Sequence, residues 1–253
     1  MPALPVALQL FTVRDAIKED CPAALRKVRE IGYEMVQPTG GMPYTYSADE
    51  LAVMLSDIGL GAAGIHVRLD ELDEAPEYWA EYATTAGTRD LVVPSIPPEL
   101  RSSREDWLAV AARLDALGAR YKELGVRLSY HNHSFEFEKY DGDYGLDLLY
   151  ANSAPDHLYA ELDTYWIKHG GEDPVDYIRR HAGRVPVLHV KDMADDEERS
   201  FAEIGQGTLD WPAIVAAAAD GGTEYLCVEQ DRCKGDPMES ARISWEFLRD
   251  LLG

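Results

Sequence analysis

Four side chains stand at or just past the ends of short apolar runs: Glu136 in SYHNHSFEF, Asp163 in AELDTYW, His189 in VLHVKDM and Glu229 in LCVEQD. Three carboxylates and one imidazole form an oxygen-rich donor set suited to hard or borderline divalent ions, which polarise a hydroxyl-carbonyl pair or hold an alkoxide. An Asp at a strand end more often caps a loop, so Asp163 carries weight only because the other three agree with it. Glu229 closes an apolar stretch that must be buried, where a lone carboxylate is costly unless a metal or a cation such as Arg232 or Lys191 meets it. Alternation along VPVLHVK puts His189 and Lys191 on one side of the strand and Leu188 and Val190 on the other. Lys191 is thereby placed to hold a substrate oxygen or to assist proton transfer.

The segment HNHSFE is the ambiguous one, because His131, Asn132, His133 and Glu136 fall within six positions. Either His131 or Glu136 can complete the coordination sphere. The expected ligand is Glu136, returning from the loop, with His133 as the catalytic or supporting imidazole. Trp166, in DTYW, serves either as an aromatic wall of the substrate site or as a core tryptophan. The stretch IGQGTLDW is too short for a dinucleotide fingerprint. It reads as a tight loop into a helix capped by Asp210, with the amides of Gly205 to Gly207 available to an anionic group.

The elements that must position these residues recur every 25 to 35 residues or so. Eight strand-like runs are visible: PVALQLF, YEMVQP, GAAGIHV, DLVVPS, VRLSYHN, LYAELDT, VPVLHVK and YLCVEQ. Segments with helical spacing lie between them, at Cys21–Ile31, Ala48–Ile58, Arg104–Leu124 and Met238–Leu251. Glycines at 32, 59, 125, 221 and 222 punctuate helix ends just before strands. Alternating strand and helix units imply a parallel sheet with right-handed crossovers, and eight of them imply closure. The expected fold is a (β/α)8 TIM barrel spanning residues 1–253 as one domain, with its site at the carboxyl ends of the strands. Gln9, Gln37 and His66 end the first three strands, and Gln9 and His66 join Trp166 and Lys191 as expected substrate-binding residues.

Composition narrows the function. With 46% hydrophobic and 28% charged residues the chain reads as a soluble globular enzyme, and no apolar run is long enough to cross a bilayer. The N-terminus shows no export signal, and a cytoplasmic location is expected. Three cysteines without a CxxC pair suit incidental thiols better than a disulfide frame or zinc ribbon. A formal charge of −22 disfavours nucleic acid and other polyanions as partners.

Taken together, QLFTVRD, YHNHSFEF, ELDTYW, LHVKD, IGQGTLDW and CVEQD resemble the sugar phosphate isomerase/epimerase group of the xylose-isomerase-like barrel superfamily, which also includes AP endonucleases. The resemblance covers nearly the whole chain. It implies one divalent ion, Mn²⁺ foremost and Mg²⁺, Co²⁺ or Zn²⁺ as alternatives, held by Glu136, Asp163, His189 and Glu229. It implies a catalytic group drawn from His133, His131, Glu229 and Lys191, a small sugar or sugar-derived substrate, and possible homodimers or homotetramers. His131 stands where the ketose 3-epimerases of the superfamily carry glutamate, and Trp166 replaces their histidine. The HNH arrangement is closer to members resembling inosose dehydratase and those acting on 3-keto-glycosides. The expected activity is therefore isomerisation or epimerisation through an enediolate. A lyase using the same intermediate is the first alternative and a non-catalytic sugar-binding barrel the second; AP endonuclease chemistry is disfavoured by the charge.

Overall fold

A computed structural model of the chain describes residues 4–39 and 46–253. Strand segments follow in chain order as β1 (Val6–Gln9), β2 (Met35–Gln37), β3 (Gly61–Ala62), β4 (Ile65–His66), β5 (Asp90–Val93), β6 (Arg127–His131), β7 (Lys139–Tyr140), β8 (Asp143–Tyr144), β9 (Leu158–Asp163), β10 (Val187–Val190), β11 (Asp192–Met193), β12 (Phe201–Ala202) and β13 (Tyr225–Val228). Nine of them form one sheet in the order β3-β2-β1-β13-β10-β9-β6-β5-β4. Every pairing in it is parallel, and β7–β8 and β11–β12 are small antiparallel hairpins. The result is a nearly closed parallel barrel, and each of the eight apolar runs supplies a strand to it.

The third run is split. Its first half, β3, pairs with β2, and its second half, β4, pairs with β5; a bridge from Thr39 to His66 and a His66 N–H bond to the Pro38 carbonyl (2.9 Å) draw the two edges together. Gly64, between the halves, has φ +107°, and a Cβ there would stand 3.2 Å from the Gln37 amide nitrogen and 3.3 Å from Asp90 Cβ. This break shifts the in-out alternation by one residue, as a bulge does. Ala62 and Ile65 pack outward in the main apolar cluster, whereas Ala63 faces the small inner cluster with Ala7, Val187 and Cys227. His66 is thus turned into the barrel.

The helices start where the chain supplies both a side-chain acceptor and a proline without an N–H to waste. Asp20, Asp173, Asp210 and Asp236 each cap a helix with Pro at its first or second position. Ser47 and Glu50 form a reciprocal capping box on Ala48–Ile58. The expected helices at Cys21–Ile31 and Ala48–Ile58 are found with those bounds, and the other two run Arg104–Glu123 and Pro237–Leu252. Leu158, Ala160 and Leu162 of β9 join the helices in the main apolar cluster, and the opposite face of β9 looks inward. At the amino end the barrel is plugged by charge: Arg127 holds Asp90 (2.6 and 2.8 Å) and Glu224 (2.6 and 3.0 Å), and the Tyr225 hydroxyl donates to Asp90 (2.5 Å). Among the described residues no helix is long and apolar enough to cross a membrane.

Candidate active site

Above the inner apolar cluster the barrel is filled by polar side chains in two tiers. The lower tier holds Gln9, Gln37, His66, His131, Glu161 and His189, all buried. Gln9 and Gln37 share a hydrogen bond (2.7 Å), and Gln37 donates to Glu161 Oε1 (2.6 Å). Glu161 Oε2 lies 2.6 Å from His66 Nε2, 3.1 Å from His189 Nε2 and 3.3 Å from His131 Nδ1. The upper tier, at the carboxyl ends of the strands, holds Asp163, Lys191 and Glu229. Lys191 Nζ stands 2.7 Å from Glu229, 3.1 Å from Asp163 and 3.1 Å from Asp231. Thr164 fixes the lysine from behind, its hydroxyl donating to the Lys191 carbonyl (2.8 Å) and accepting the Lys191 N–H (3.0 Å).

The upper tier reaches down to the imidazoles. His189 Nδ1 is 3.1 Å from Glu229 Oε2 and 3.9 Å from Asp163 Oδ2, and His131 Nε2 is also 3.9 Å from Asp163 Oδ2. Ligand atoms sharing one ion through bonds of about 2.1 Å stand roughly 3 to 4 Å apart. The three pairs just given fall in that range, and the ligand atoms of His131, Asp163, His189 and Glu229 all lie within 4.8 Å of one another, one of two such clusters among the described residues. Asp163 Oδ2 is buried and, apart from the Lys191 ammonium 3.1 Å away, has no partner of hydrogen-bond geometry, which leaves it open to a second cation. The residues present therefore fit a divalent ion. In the other cluster, His66, His131, Glu161 and His189, the 2.6 Å approach of His66 to Glu161 is a hydrogen-bond distance.

Glu136 is not in either cluster. It lies in a short turn, Phe135–Phe137, where its carboxylate accepts the Tyr130 hydroxyl (2.6 Å) and the His133 N–H (2.8 Å). The expected fifth-strand ligand is thus replaced in position by His131, whose ring enters the barrel because alternation along β6 turns Arg127, Ser129 and His131 inward. Glu136 instead braces the HNH turn from behind. Asn132 also works structurally, accepting the Asp163 N–H (3.0 Å).

His133 projects at the mouth, stacked on Phe135 (centroids 5.5 Å, interplanar 9°) with Trp166 on another side (5.4 Å). Its Nδ1 is buried without a partner. Trp166 also faces the Lys191 ammonium at 5.9 Å, packing behind His133 and Lys191 rather than lining the cavity itself. His133 and Lys191 open onto a cavity of about 170 Å³ whose lining includes His66, His131, His133, Lys191, Glu229 and Asp231. Gln9 does not line it; its carbonyl oxygen is used by the Phe11 N–H (3.3 Å) and its amide by Gln37. A larger depression of about 550 Å³ on the outside, flanked by Arg26 and Val53, includes no imidazole.

Burial and charge set the protonation states. Burial pushes His133 down to about 3, with Lys191 adding to the effect, so the imidazole is neutral. Burial pushes Asp163 up to about 6 against the pull of Lys191, and Glu136 up to about 8 against its two donors. Burial acts to raise Glu229 too, but Lys191 and His189 outweigh it and hold the carboxylate well below its usual range. For Lys191 burial acts to lower the value and is overcome by Asp163, Glu229 and Asp231, which keep the ammonium charged.

The loop Gly205 to Gly207 is committed to an internal anion. Asp192 Oδ2 takes the N–H groups of Gly205 (2.9 Å) and Gly207 (3.1 Å) and the Trp211 indole N–H (2.7 Å), and Oδ1 takes the Leu209 N–H (3.2 Å). A Cβ on residue 207 would fall 2.2 Å from Asp192 Oδ1. The expectation that these amides serve a substrate anion is corrected accordingly: the LHVKD and IGQGTLDW segments are partners in one structural lock. Asp210 caps the following helix as expected, accepting the Ala213 N–H (3.1 Å).

Barrel architecture and a carboxylate-imidazole cluster at its carboxyl mouth coincide with a family match. Residues 25–251 fit the family model described as xylose isomerase-like TIM barrel, and the chain belongs to that family. Among curated relatives, the inosose dehydratase of Geobacillus kaustophilus is 24% identical over 90% of this chain and 86% of its own, and the rhizopine catabolism protein MocC of Rhizobium meliloti is 26% identical over 92% and 81%. The match to the inosose dehydratase of Lacticaseibacillus casei is 27% identical over 57% of this chain, and it spans only about half, 54%, of that relative's length. Among solved structures, a sugar phosphate isomerase/epimerase from Parabacteroides distasonis superposes with a TM-score of 0.82 at 23% identity, covering 98% and 94% of the two chains. The IOLI protein, solved with a bound zinc atom, superposes with a TM-score of 0.74 at 15% identity, covering 98% of each chain.

Two residues of the site escaped assignment from sequence. Glu161 shares the inward face of β9 with Asp163, two residues upstream, and that alternation is the signal that marks it. Asp231 has no such signal, because it lies past the end of its strand.

Proposed function

We propose that the protein is a divalent-metal-dependent enzyme that removes the proton next to the carbonyl of a polyhydroxylated substrate and stabilises the resulting enediolate. The observation that carries this reading is the neutral, unpaired His133 at the cavity, next to the ligand set of His131, Asp163, His189 and Glu229. A bound ion, Mn²⁺ in the first instance, would supply Lewis acidity toward a carbonyl and an adjacent hydroxyl oxygen. His133 has the free nitrogen and the protonation state of a general base at neutral pH. The Lys191 ammonium faces the same cavity and, with its three N–H groups turned to Asp163, Glu229 and Asp231, favours negative charge developing on substrate oxygens through its positive field. Trp166 backs His133 and Lys191 with an aromatic surface that keeps both side chains in place beside the cavity.

Returning the proton to carbon makes the enzyme an isomerase or epimerase. A second reading, a dehydratase, is favoured by one observation: Glu229, the residue that would serve as the second acid-base group, is pinned between Lys191 and His189. The relatives named inosose dehydratase agree with that reading. In the test, metal-loaded protein is incubated with ketoses and inososes in D2O, and solvent deuterium at the carbon beside the carbonyl is followed by NMR together with loss of water. His133→Asn should lower exchange by about 10²-fold or more while metal binding persists. Full turnover after rigorous metal removal contradicts the proposal.

A further inference from the structure

His189 presents two ring nitrogens, and which one is left for an ion depends on which one carries hydrogen. Beneath it runs a line of amides whose polarity is fixed at both ends by backbone groups. At one end the Phe11 N–H, which can only donate, points at Gln9 Oε1 (3.3 Å). The NH2 of Gln9 is therefore turned to Gln37 Oε1 (2.7 Å). At the other end the Ala63 carbonyl, which can only accept, lies 3.4 Å from Gln37 Nε2, and that same nitrogen donates to Glu161 Oε1 (2.6 Å). Gln37 Oε1 is consequently an acceptor, and it sits 2.6 Å from His189 Nε2, nearer than Glu161 Oε2, which faces the same nitrogen at 3.1 Å, with the Cys227 thiol at 3.6 Å. An acceptor at that distance requires hydrogen on His189 Nε2. Nδ1, which without an ion donates to Glu229 Oε2 (3.1 Å) and also faces Asp163, is then the nitrogen a cation can claim by displacing its proton.

We propose that Gln37, its amide locked by Gln9, is the positioning residue that makes His189 Nδ1 the metal-binding nitrogen. The inference rests on the metal-site reading above, although not on any particular reaction. It also gives Gln9 a purpose other than the substrate contact expected from the sequence. Ligating histidines commonly rely on such a partner at the distant nitrogen, and losing it weakens metal affinity by about 10 to 100-fold.

The test uses the full chain, with Mn²⁺ affinity measured by calorimetry and His189 examined by ¹⁵N NMR in the Zn²⁺-loaded protein. Wild type should show one ion per chain, with Nδ1 bound and Nε2 carrying a slowly exchanging proton. Gln37→Met should weaken Mn²⁺ binding about 10 to 100-fold. Gln9→Met, which frees the Gln37 amide to flip, should weaken it less, and the double variant should be no worse than Gln37→Met because both act through one ring. A purely structural role would instead give additive losses and an unaltered His189 signal. Zn²⁺ on Nε2 of wild-type His189 overturns the proposal even if the variants do not fold. Two ions per wild-type chain, one of them lost in Glu161→Gln, overturn it as well, because the lower tier would then be a metal site. Failure of the wild type to bind Mn²⁺ or Zn²⁺ removes both the site reading and this inference, whereas metal binding without turnover sinks only the proposed function.

Discussion

Lys191 does for Asp163 and Glu229 the electrostatic task that the proposed divalent cation would also do, and replacing the lysine separates the two. In Lys191→Met the metal-free protein keeps three carboxylates, Asp163, Glu229 and Asp231, within a site that has lost its ammonium. One of them can escape by taking up a proton. At pH 7 that costs the gap between the solution pH and the ordinary Asp value of 3.8, about 3 units at ~1.4 kcal/mol each, or roughly 4 kcal/mol. This agrees with the ~3–5 kcal/mol typical of breaking a buried ion pair from one side. For a chain of this size each 1 kcal/mol shifts Tm by about 2–4 °C, so metal-free Lys191→Met should melt roughly 8–16 °C below wild type. At pH 5 the same gap shrinks to about 1.2 units and the penalty to ~1.6 kcal/mol. Saturating Mn²⁺ restores positive charge, so the metal-induced rise in Tm should be larger in the variant than in wild type. Thermal unfolding with EDTA or Mn²⁺ at both pH values reads all of this. A metal-free variant as stable as wild type at pH 7, or an equal metal-induced shift in the two proteins, refutes the reasoning.

Other outcomes follow from the same geometry. His131→Ala should weaken Mn²⁺ binding by about 100-fold or more, beyond the loss expected of a supporting residue, while Glu136→Gln should change it less than about threefold; calorimetric titration distinguishes the two. Glu136 also gives a pH signature. Its folded value of about 8 lies above the ordinary Glu value of 4.5, so the native state holds the extra proton between them and stability declines as pH rises through that window, by up to ~1.4 kcal/mol per unit. Urea unfolding of Glu136→Gln at pH 5 and pH 8 should lack that component of the slope. Gly207→Ala drives a Cβ against Asp192 and should destabilise the loop lock by about 1–3 kcal/mol, seen as a lower Tm.

The barrel was readable because its strands are short apolar runs buried on both faces, and alternating helices with Asp-Pro starts leave few other topologies. Asp163, His189 and Glu229 were readable for the same reason: each lies on the inward parity of a strand near its carboxyl end. Glu136 was misplaced because it follows the end of β6, where period-two reasoning stops and the path of the backbone decides. A three-residue turn carries its carboxylate back to Tyr130 instead of forward to the carboxylate-imidazole cluster. The Gly205 to Gly207 amides were misread for a different reason. An anion-binding loop looks the same in sequence whether its anion comes from solution or, as here, from a side chain in the preceding segment. Gln9 sits at the correct strand end, but one tier too deep to touch a ligand in the cavity.

The split third strand gives the barrel a preferred line of opening. Elsewhere around the wall each strand is continuous and shares its backbone hydrogen bonds with both neighbours along several residues. At the third position each neighbour meets only a two-residue segment, so the hoop of hydrogen bonds is thinnest there. Sub-global opening follows the fewest cooperative bonds. Amide hydrogens on the edges of β2 and β4 should therefore exchange with solvent ahead of those in β6, β9 and β10. The strands that bear the proposed ion ligands would stay shut while the seam beside His66 breathes, keeping the rigid and the yielding parts of the wall on separate arcs of the barrel.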